Sequence, residues 1–263
     1  MGDPGLFPPG TVARRVNAES ALILGGPRAL LMQLAHPLVA AAVADHSDFP
    51  RDAFGRLANT LDLTLTVSFG DEQQRSAAAE RVAETHRRVT GGGVGRRYRA
   101  QDPELLLWVH ATLVDSALLT HDRFVRSIGP AARERYHEEM KRQAVAFGVP
   151  EDLLPGSFGR FRGYVDEMVA RLDVTGEARA LSLGVLYPPA PVPLRPLLGA
   201  MRFVTTGLLP ERLRAEYGLA WDPTRQRALD AVGAAIRGGV VPLLPDIWRR
   251  WPHARDADRR LAA

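Results

Sequence analysis

Cysteine is absent from this chain of 263 residues. Its absence excludes disulfides, thiolate nucleophiles, iron–sulfur clusters, and zinc or haem held by cysteine. Any metal site must therefore use histidine, carboxylate, tyrosine or methionine side chains. Lysine is nearly absent too, since Lys141 is the only one and the other 33 basic residues are arginine. These arginines are interspersed with 30 carboxylates, and no separate basic block indicates nucleic-acid binding.

The sequence also lacks long uninterrupted apolar runs and alternating strand patterns. Its most apolar stretch, residues 21–44, contains glycines, prolines, Arg28, Gln33 and His36, and is too interrupted for a membrane span. The N-terminal residues MGDPGLFPPG have neither the basic nor the apolar region of a secretory signal. We therefore expect a cytoplasmic protein with no transmembrane segment, for which peripheral membrane contact stays open.

Nearly every periodic segment has the helical repeat of 3.6 residues. A short helix is predicted to be capped by Asn17, and a second runs from Pro27 to about Asp45 with a kink near Pro37. The other predicted helices cover residues 51–69, 71–89, 103–126, 130–147, 159–173, 176–186, 196–208 and 224–237.

The hydrophobic content of 46% is enough for one substantial core in a chain of this length. We therefore predict an all-α fold, a single helical domain of about ten helices over residues 1–263. Within it we expect an N-terminal arm (1–16), a proline-rich strap with the sequence YPPAPVPLRP (187–196), and a charged C-terminal tail (252–263).

One charged helix places its only histidine on its apolar side. Ala79, Val82, His86 and Val89 follow 3–4–3 spacing and form one stripe, with charged residues on either side. His86 is therefore predicted to point into the protein near the end of this helix.

The preceding helix, RDAFGRLANTLDLTLTVSF, has apolar residues on opposite sides, which predicts burial almost all round. Arg56 and Thr60 lie one turn apart on it, and Asn59 flanks Arg56. An arginine in such a helix needs an anionic or strongly accepting partner, because an unpaired buried charge is very costly. Arg56 is thus either half of an ion pair between helices or a cation inside a pocket, with Thr60 as a nearby hydroxyl donor.

His36 and His110 also lie among apolar residues and are predicted to face inward. Taken singly, each is more often a hydrogen-bonded core histidine than a ligand. The remaining histidines that lie among charges are predicted to be solvated: His121, His137 and His253. Three inward histidines on three helices favour a cofactor pocket of the kind that helical bundles build. Its contents stay open at this point, since HExxH, GxSxG, P-loop and GxGxxG motifs are all missing.

Three segments in order, QLAHPLVAAAVADHSDFPRDAFGRLANTLDLTLTVSFG, THRRVTG and YRAQDPELLLWVHATLVDS, resemble the DUF2236 family of MpaB-type oxygenases and latex-clearing proteins (rubber oxygenases). The similarity covers roughly residues 15–240. It implies an α-helical, globin-like core around a non-covalent haem b, with one proximal histidine that the match places at His86. Within such a pocket, His110 and His36 are further cofactor-binding candidates.

The resemblance also implies which residues lie on the distal side of the haem, opposite the proximal histidine. Rubber-cleaving members have an Arg-x-x-Lys-Thr segment there, and the corresponding residues are Arg56, Asn59 and Thr60. Arg56 and Thr60 match this segment, whereas Asn59 replaces the lysine, which can bind the iron on the distal side in those members. A lysine-ligated state is thus impossible at this residue, which argues against rubber cleavage.

From this resemblance we predict a haem b-dependent oxygenase or oxidase that acts on a small apolar or aromatic substrate, with secondary metabolism as the expected setting. His86 would be the iron ligand, and Arg56, Thr60 and Asn59 the catalytic residues. Its partners would be the substrate, O₂ or peroxide, and an electron donor, with no nucleic acid. A peroxide-dependent haem enzyme and a non-catalytic haem- or ligand-binding helical protein are the alternatives.

Overall fold

The structure, a computed structural model, describes residues 2–46, 49–92 and 97–263, without the side chains of 49–54 and 56. It is 76% helical, which confirms the predicted all-α class. The helices in these ranges are α1 (Val12–Asn17), α2 (Gly26–Leu34), α3 (Pro37–His46), α4 (Phe49–Phe69), α5 (Glu72–Arg88), α6 (Pro103–Thr120), α7 (Pro130–Ala146), α8 (Phe158–Arg171), α9 (Gly176–Leu186), α10 (Arg195–Leu208), α11 (Glu211–Glu216), α12 (Pro223–Ala235), α13 (Asp246–Arg249) and α14 (Pro252–Ala262).

Shorter elements connect these helices. Two strands of two residues, β1 (Thr90–Gly91) and β2 (Tyr98–Arg99), pair antiparallel after α5. The 3₁₀ turns are Ser20–Gly25, Glu151–Leu153, Val192–Leu194 and Val241–Leu243, and the π-helical turns are His121–Val125 and Ile236–Val240.

The N-terminal prediction was wrong in one respect. Asn17 does not cap a helix but ends α1, whose N-cap is Thr11. The predicted short helix is the 3₁₀ turn Ser20–Gly25, which passes so close to α6 that a Cβ on Gly25 would lie 2.2 Å from Thr120 Oγ1. Asn17 is instead buried, and its side-chain oxygen accepts a hydrogen bond of 2.9 Å from the hydroxyl of Tyr136.

The predicted kink near Pro37 is a complete break between α2 and α3. Pro37 has no N–H to continue the helical ladder, and its ring excludes the preceding residues from helical geometry. Among the described residues, no single helix reaches the length and hydropathy of a membrane span, although Ser20–Leu34 and Pro37–His46 reach them together across a bend of 103°.

α6 lies in the main core and packs against α2. Trp108 is fully buried on α6, and its indole N–H donates to the carbonyl of Met32 on α2 at 3.2 Å. On another side of α2, the hydroxyl of Tyr217 donates to the carbonyl of Leu31 at 2.7 Å. These bonds satisfy polar atoms that would otherwise be costly to bury.

The predicted charged tail forms α14, which packs on α4. Ala254 and Ala257 are buried there and join one apolar cluster with Leu65 and Phe69 of α4. Small alanines on one face of α14 allow the two helices to approach closely, and Arg260 of α14 donates to the carbonyl of Phe69 at the end of α4. The C-terminal segment therefore covers part of the helix that carries the predicted distal residues.

A buried arginine joins three helices through its guanidinium group. Arg28 on α2 donates to Asp115 at 2.7 Å and to Ser116 at 2.6 Å on α6, and to the carbonyl of Leu208 on α10 at 2.7 Å. Asp115 also pairs with Arg162 of α8. The side chains of Arg28 and Asp115 are 4% and 6% exposed, so water cannot replace a missing partner.

We predict that Arg28→Ala lowers the free energy of unfolding by roughly 3 kcal/mol or more, because it leaves buried acceptors without their donor. Denaturant-induced unfolding followed by circular dichroism measures this change. Arg171→Ala is the matched control, since its pair with Glu167 is exposed, and we expect a loss below about 0.5 kcal/mol. Equal losses in the two variants would contradict a structural role for the buried network.

Candidate functional site

α4 and α5 form a helical hairpin with a two-residue link, Gly70 and Asp71. Asp71 starts α5 through a capping box, in which its carboxylate accepts from the N–H of Gln74 at 2.8 Å and the side chain of Gln74 accepts from the N–H of Asp71 at 3.0 Å. The short link turns α5 back along α4. Because both helices rise about 1.5 Å per residue, Arg56 and His86 lie at similar heights above the link.

His86 lies in the last turn of α5 and is half-buried. Burial lowers the pKa of its imidazole below the usual value, so the ring is neutral at physiological pH. Neither ring nitrogen makes a hydrogen bond to any other part of the chain that the structure describes. A neutral imidazole with an uncommitted nitrogen is the form of histidine that binds metal ions.

The predicted burial of α4 almost all round holds only for its C-terminal turns. Leu65, Val67 and Phe69 are buried, whereas Asn59 and Thr60 are exposed. The side chain of Arg56 lies outside the described residues, so its predicted partner is not identified. The role of these three residues on the distal side of a cofactor stays a prediction.

His36 lies at the break between α2 and α3 and is half-buried. Its Nδ1 accepts a hydrogen bond of 3.2 Å from the backbone N–H of Leu38, which satisfies a donor in the first turn of α3. Burial lowers the pKa of His36, while the carboxylates of Asp102 and Glu104 act in the opposite direction. The structure thus gives His36 a local role at a helix start; its predicted role near a cofactor stays untested.

His110 is buried on α6, as predicted. Burial lowers the pKa of its imidazole to about 4, and the nearby His137 acts in the same direction. Its Nδ1 has no hydrogen-bond partner within the described residues. His110 is therefore a neutral core histidine in this structure, and a contact with a cofactor stays a prediction.

Two histidines predicted to be solvated are buried instead. His137 is 4% exposed, and its Nε2 lies 2.8 Å from the carbonyl oxygen of Pro155 while its ring contacts that of Phe161. His121 is 1% exposed and begins the π-helical turn after α6. The third, His253, is half-buried and lies 3.2 Å from Asp62. The charged neighbours of His121 and His137 misled the prediction, because adjacent helical residues point in different directions.

The buried His110 gives a testable pH dependence. Its folded-state pKa of about 4 lies below the unfolded value of 6.5, so the unfolded chain binds the proton more readily between these pH values. The contribution of the neutral His110 to the free energy of unfolding is fully present above pH 6.5. It is lost as the pH falls to about 4, and the loss is on the order of 3 kcal/mol. We predict that His110→Gln reduces the pH slope of the unfolding free energy in this range.

Denaturant unfolding at a series of pH values measures that slope. Leu107→Ala serves as the control, because Leu107 is also buried on α6 but carries no titratable group, and we expect a lower free energy of unfolding with the wild-type slope. A His110→Gln variant with an unchanged slope would show that another group causes the acid sensitivity.

The end of the His86 helix is tied to the end of α3 by a polar cluster that the sequence did not reveal. His46 Nε2 lies 3.1 Å from the carbonyl oxygen of Thr90, and the His46 ring packs edge-on against Tyr98. The hydroxyl of Tyr98 donates to Asp45 at 2.6 Å. Burial and this carboxylate raise the pKa of Tyr98 to about 12. A Cβ on Gly91 would lie 2.4 Å from the same hydroxyl, so the position requires glycine.

We predict that Tyr98→Phe loosens the β1–β2 pair, because the hydrogen bond to a carboxylate is lost. The amide of Ala100, which donates to the carbonyl of Val89 at 2.9 Å, should exchange its hydrogen about tenfold faster or more. Amide hydrogen exchange measures this rate. Tyr187→Phe is the control, since Tyr187 is exposed, and unchanged exchange in both variants would contradict the proposed tie.

The described residues contain no group of three or more His, Asp or Glu side chains able to hold a metal ion by themselves. They include two cavities, of about 400 Å³ and 370 Å³, and neither is lined by any of the five predicted site residues whose side chains are described.

Comparisons with known proteins agree with the sequence resemblance. The family model described as ER-bound oxygenase mpaB/B′ and rubber oxygenase catalytic domain matches residues 13–238. Two uncharacterized proteins, from Mycobacterium bovis and Mycobacterium tuberculosis, are each 27% identical over 215 residues, which is 79% of this chain and 84% of theirs. The closed-state structure of latex clearing protein has a TM-score of 0.61 at 20% identity, covering 96% of this chain and 74% of that chain. This likeness establishes the shared fold.

Proposed function

This chain belongs to the family of ER-bound oxygenase mpaB/B′ and rubber oxygenase catalytic domains, and from this premise we propose that it is a haem b-dependent oxygenase or oxidase. The family supports oxygenase activity, with a small-molecule substrate and O₂. The haem and the iron ligand are proposals that follow from the family resemblance of the sequence, and the class of substrate is proposed with them. We propose a small apolar or aromatic substrate.

The observation that carries the proposal is the state of His86. Its ring is half-buried, neutral because burial lowers its pKa, and without a hydrogen bond to any described residue. A neutral imidazole in this state can donate the electron pair of a ring nitrogen to a metal. Within the described residues, His86 belongs to no group of three or more metal-binding side chains, which fits a cofactor that brings its own ligands.

The residues present therefore fit a haem group with His86 as its protein ligand. Haem, when bound, supplies the iron at which O₂ or peroxide is activated. His86 would donate the electron pair of one ring nitrogen, and hydrogen bonding at the other nitrogen would orient the ring.

The distal side would be provided by α4, on which Arg56 and Thr60 lie one turn apart. Their side chains would donate hydrogen bonds to the oxidant and stabilise negative charge that develops on it. Asn59 has no basic amine and cannot ligate iron as the lysine of rubber-cleaving members does. We therefore propose that O₂ or peroxide does not have to displace a ligand from this chain.

We predict that the purified protein has a Soret absorption band and that His86→Gly loses most of it. A glycine leaves space for an added imidazole, so the band should return when free imidazole is supplied. Absorption spectra of the isolated, reduced and CO-bound protein measure this. His253→Gln is the matched control, because His253 is also a half-buried histidine and is not among the cofactor-binding candidates, and it should keep the band.

The same experiment separates the alternatives. Wild-type protein that shows no band after reconstitution with haemin would exclude haem. A band unaffected by His86→Gly would place the ligand elsewhere. If haem binds, turnover with O₂ and a reductant supports the oxygenase or oxidase, and turnover only with H₂O₂ supports a peroxide-dependent enzyme. Loosely exchangeable haem with no product under either condition supports a haem-binding protein.

A further inference from the structure

Four large apolar side chains are exposed close together in the segment between α12 and α14. They are Val240, Leu243, Ile247 and Trp248, and we call them the apolar patch. Leu243 and Trp248 are 81% and 69% exposed. Proteins rarely expose such side chains in one cluster unless the cluster meets another molecule or a membrane.

The backbone beneath the apolar patch is fixed. The hydroxyl of Ser20 donates to the carbonyl of Trp248 at 2.6 Å, and the N–H of Trp251 donates to the carbonyl of Ala18 at 3.0 Å. Val241, between the exposed residues, is buried. The apolar side chains therefore project from an ordered surface, and a binding partner would not have to order the loop first.

Arginines lie around the apolar patch. The cavity of about 400 Å³ beside α13 is lined by four arginines and two carboxylates, namely Arg14, Arg15, Arg249, Arg250, Glu19 and Asp246. Arg249 pairs with Glu19 at 2.9 Å and Arg250 with Asp258 at 2.6 Å. Arg15 is exposed and forms no ion pair within the described residues.

Arg237 donates to the backbone carbonyl of Asp122 at 3.2 Å, and it lines the second cavity together with Arg123, Asp122 and Asp230. Residues 231–263 contain six arginines and three aspartates, so this region carries most of the chain's formal net charge of +4. The surface thus combines exposed apolar side chains with an excess of positive charge at its rim.

We propose that this surface binds the headgroup region of an anionic phospholipid bilayer. Tryptophan favours the boundary between headgroups and acyl chains, and Leu243 and Ile247 would insert beside it. Arg15 and Arg237 would meet lipid phosphates while their aliphatic stems lie along the apolar boundary. A second copy of this chain would fit less well, because its cationic rim would repel an identical rim. This inference is independent of the proposed haem chemistry.

Co-sedimentation of the purified full-length protein with vesicles tests the proposal. We expect binding to phosphatidylcholine vesicles that contain phosphatidylglycerol, and much weaker binding to phosphatidylcholine alone. The double variant Leu243→Ser/Trp248→Ser should bind anionic vesicles at least about tenfold more weakly, because most of its insertable apolar area is lost. Arg15→Gln should weaken binding about fivefold, and only to anionic vesicles.

Val192→Ser/Leu194→Ser is the matched control, since both residues are exposed and apolar but lie in the proline-rich strap. It should bind like the wild type, and circular dichroism should show that all variants are folded. The proposal is overturned if the wild type binds neither vesicle, if the control loses as much binding as the patch variant, or if the patch variant binds normally. A concentration-dependent dimer that only the patch variant loses would identify a second copy as the occupant.

Discussion

The two-residue link between α4 and α5 is the constraint on which the candidate site depends. It leaves no freedom for one helix to slide along the other, so the residues opposite each other on the hairpin are fixed by their distance from the link. The turn is also tied to the N-terminal segment, because Asp3 accepts hydrogen bonds from the N–H of Glu72 at 2.6 Å and from Arg75 at 3.0 Å. Arg75 in turn donates to the carbonyl of Gly70 at 3.1 Å. The predicted N-terminal arm therefore holds the base of the hairpin.

Burial alone does not identify the histidine that would bind iron. It lowers the pKa of His36, His110, His121 and His137 as well as that of His86. Several of these have another function in the fold, since His36 bonds to the start of α3 and His137 lies against the carbonyl of Pro155. His110 and His121 resemble His86 most, because the Nδ1 of each lacks a partner in the described part of the chain. The family resemblance and the position opposite α4 are what favour His86.

Helices could be predicted from the sequence because their period is local. The predicted helix 176–186 coincides with α9, and the predicted helix over 159–173 differs little from α8. The failures came from contacts between distant segments. No local pattern shows that a Cβ at Gly25 would collide with Thr120, nor that His137 packs between a backbone carbonyl and Phe161. These depend on which helices become neighbours.

The candidate site was predicted in part. The inward position of His86 followed from its spacing, whereas the exposure of Asn59 and Thr60 contradicts the burial that apolar residues on both sides of α4 suggested. The tie between Tyr98 and Asp45 could not be predicted, because 53 residues separate them and neither belongs to a recognisable motif. The sequence therefore indicated the helices that carry the site but not the contacts that orient them.

The proposed membrane surface and the proposed oxygenase site are connected by one helix. The segment that carries the apolar patch leads directly into α14, which packs on α4 through Ala254, Ala257, Leu65 and Phe69. A bilayer that held Leu243 and Trp248 would therefore set the orientation of α4 relative to the membrane. Small apolar substrates concentrate in bilayers because transfer from water is favourable. An enzyme held at that surface would therefore meet such a substrate at a higher local concentration. The two proposals are tested by separate experiments.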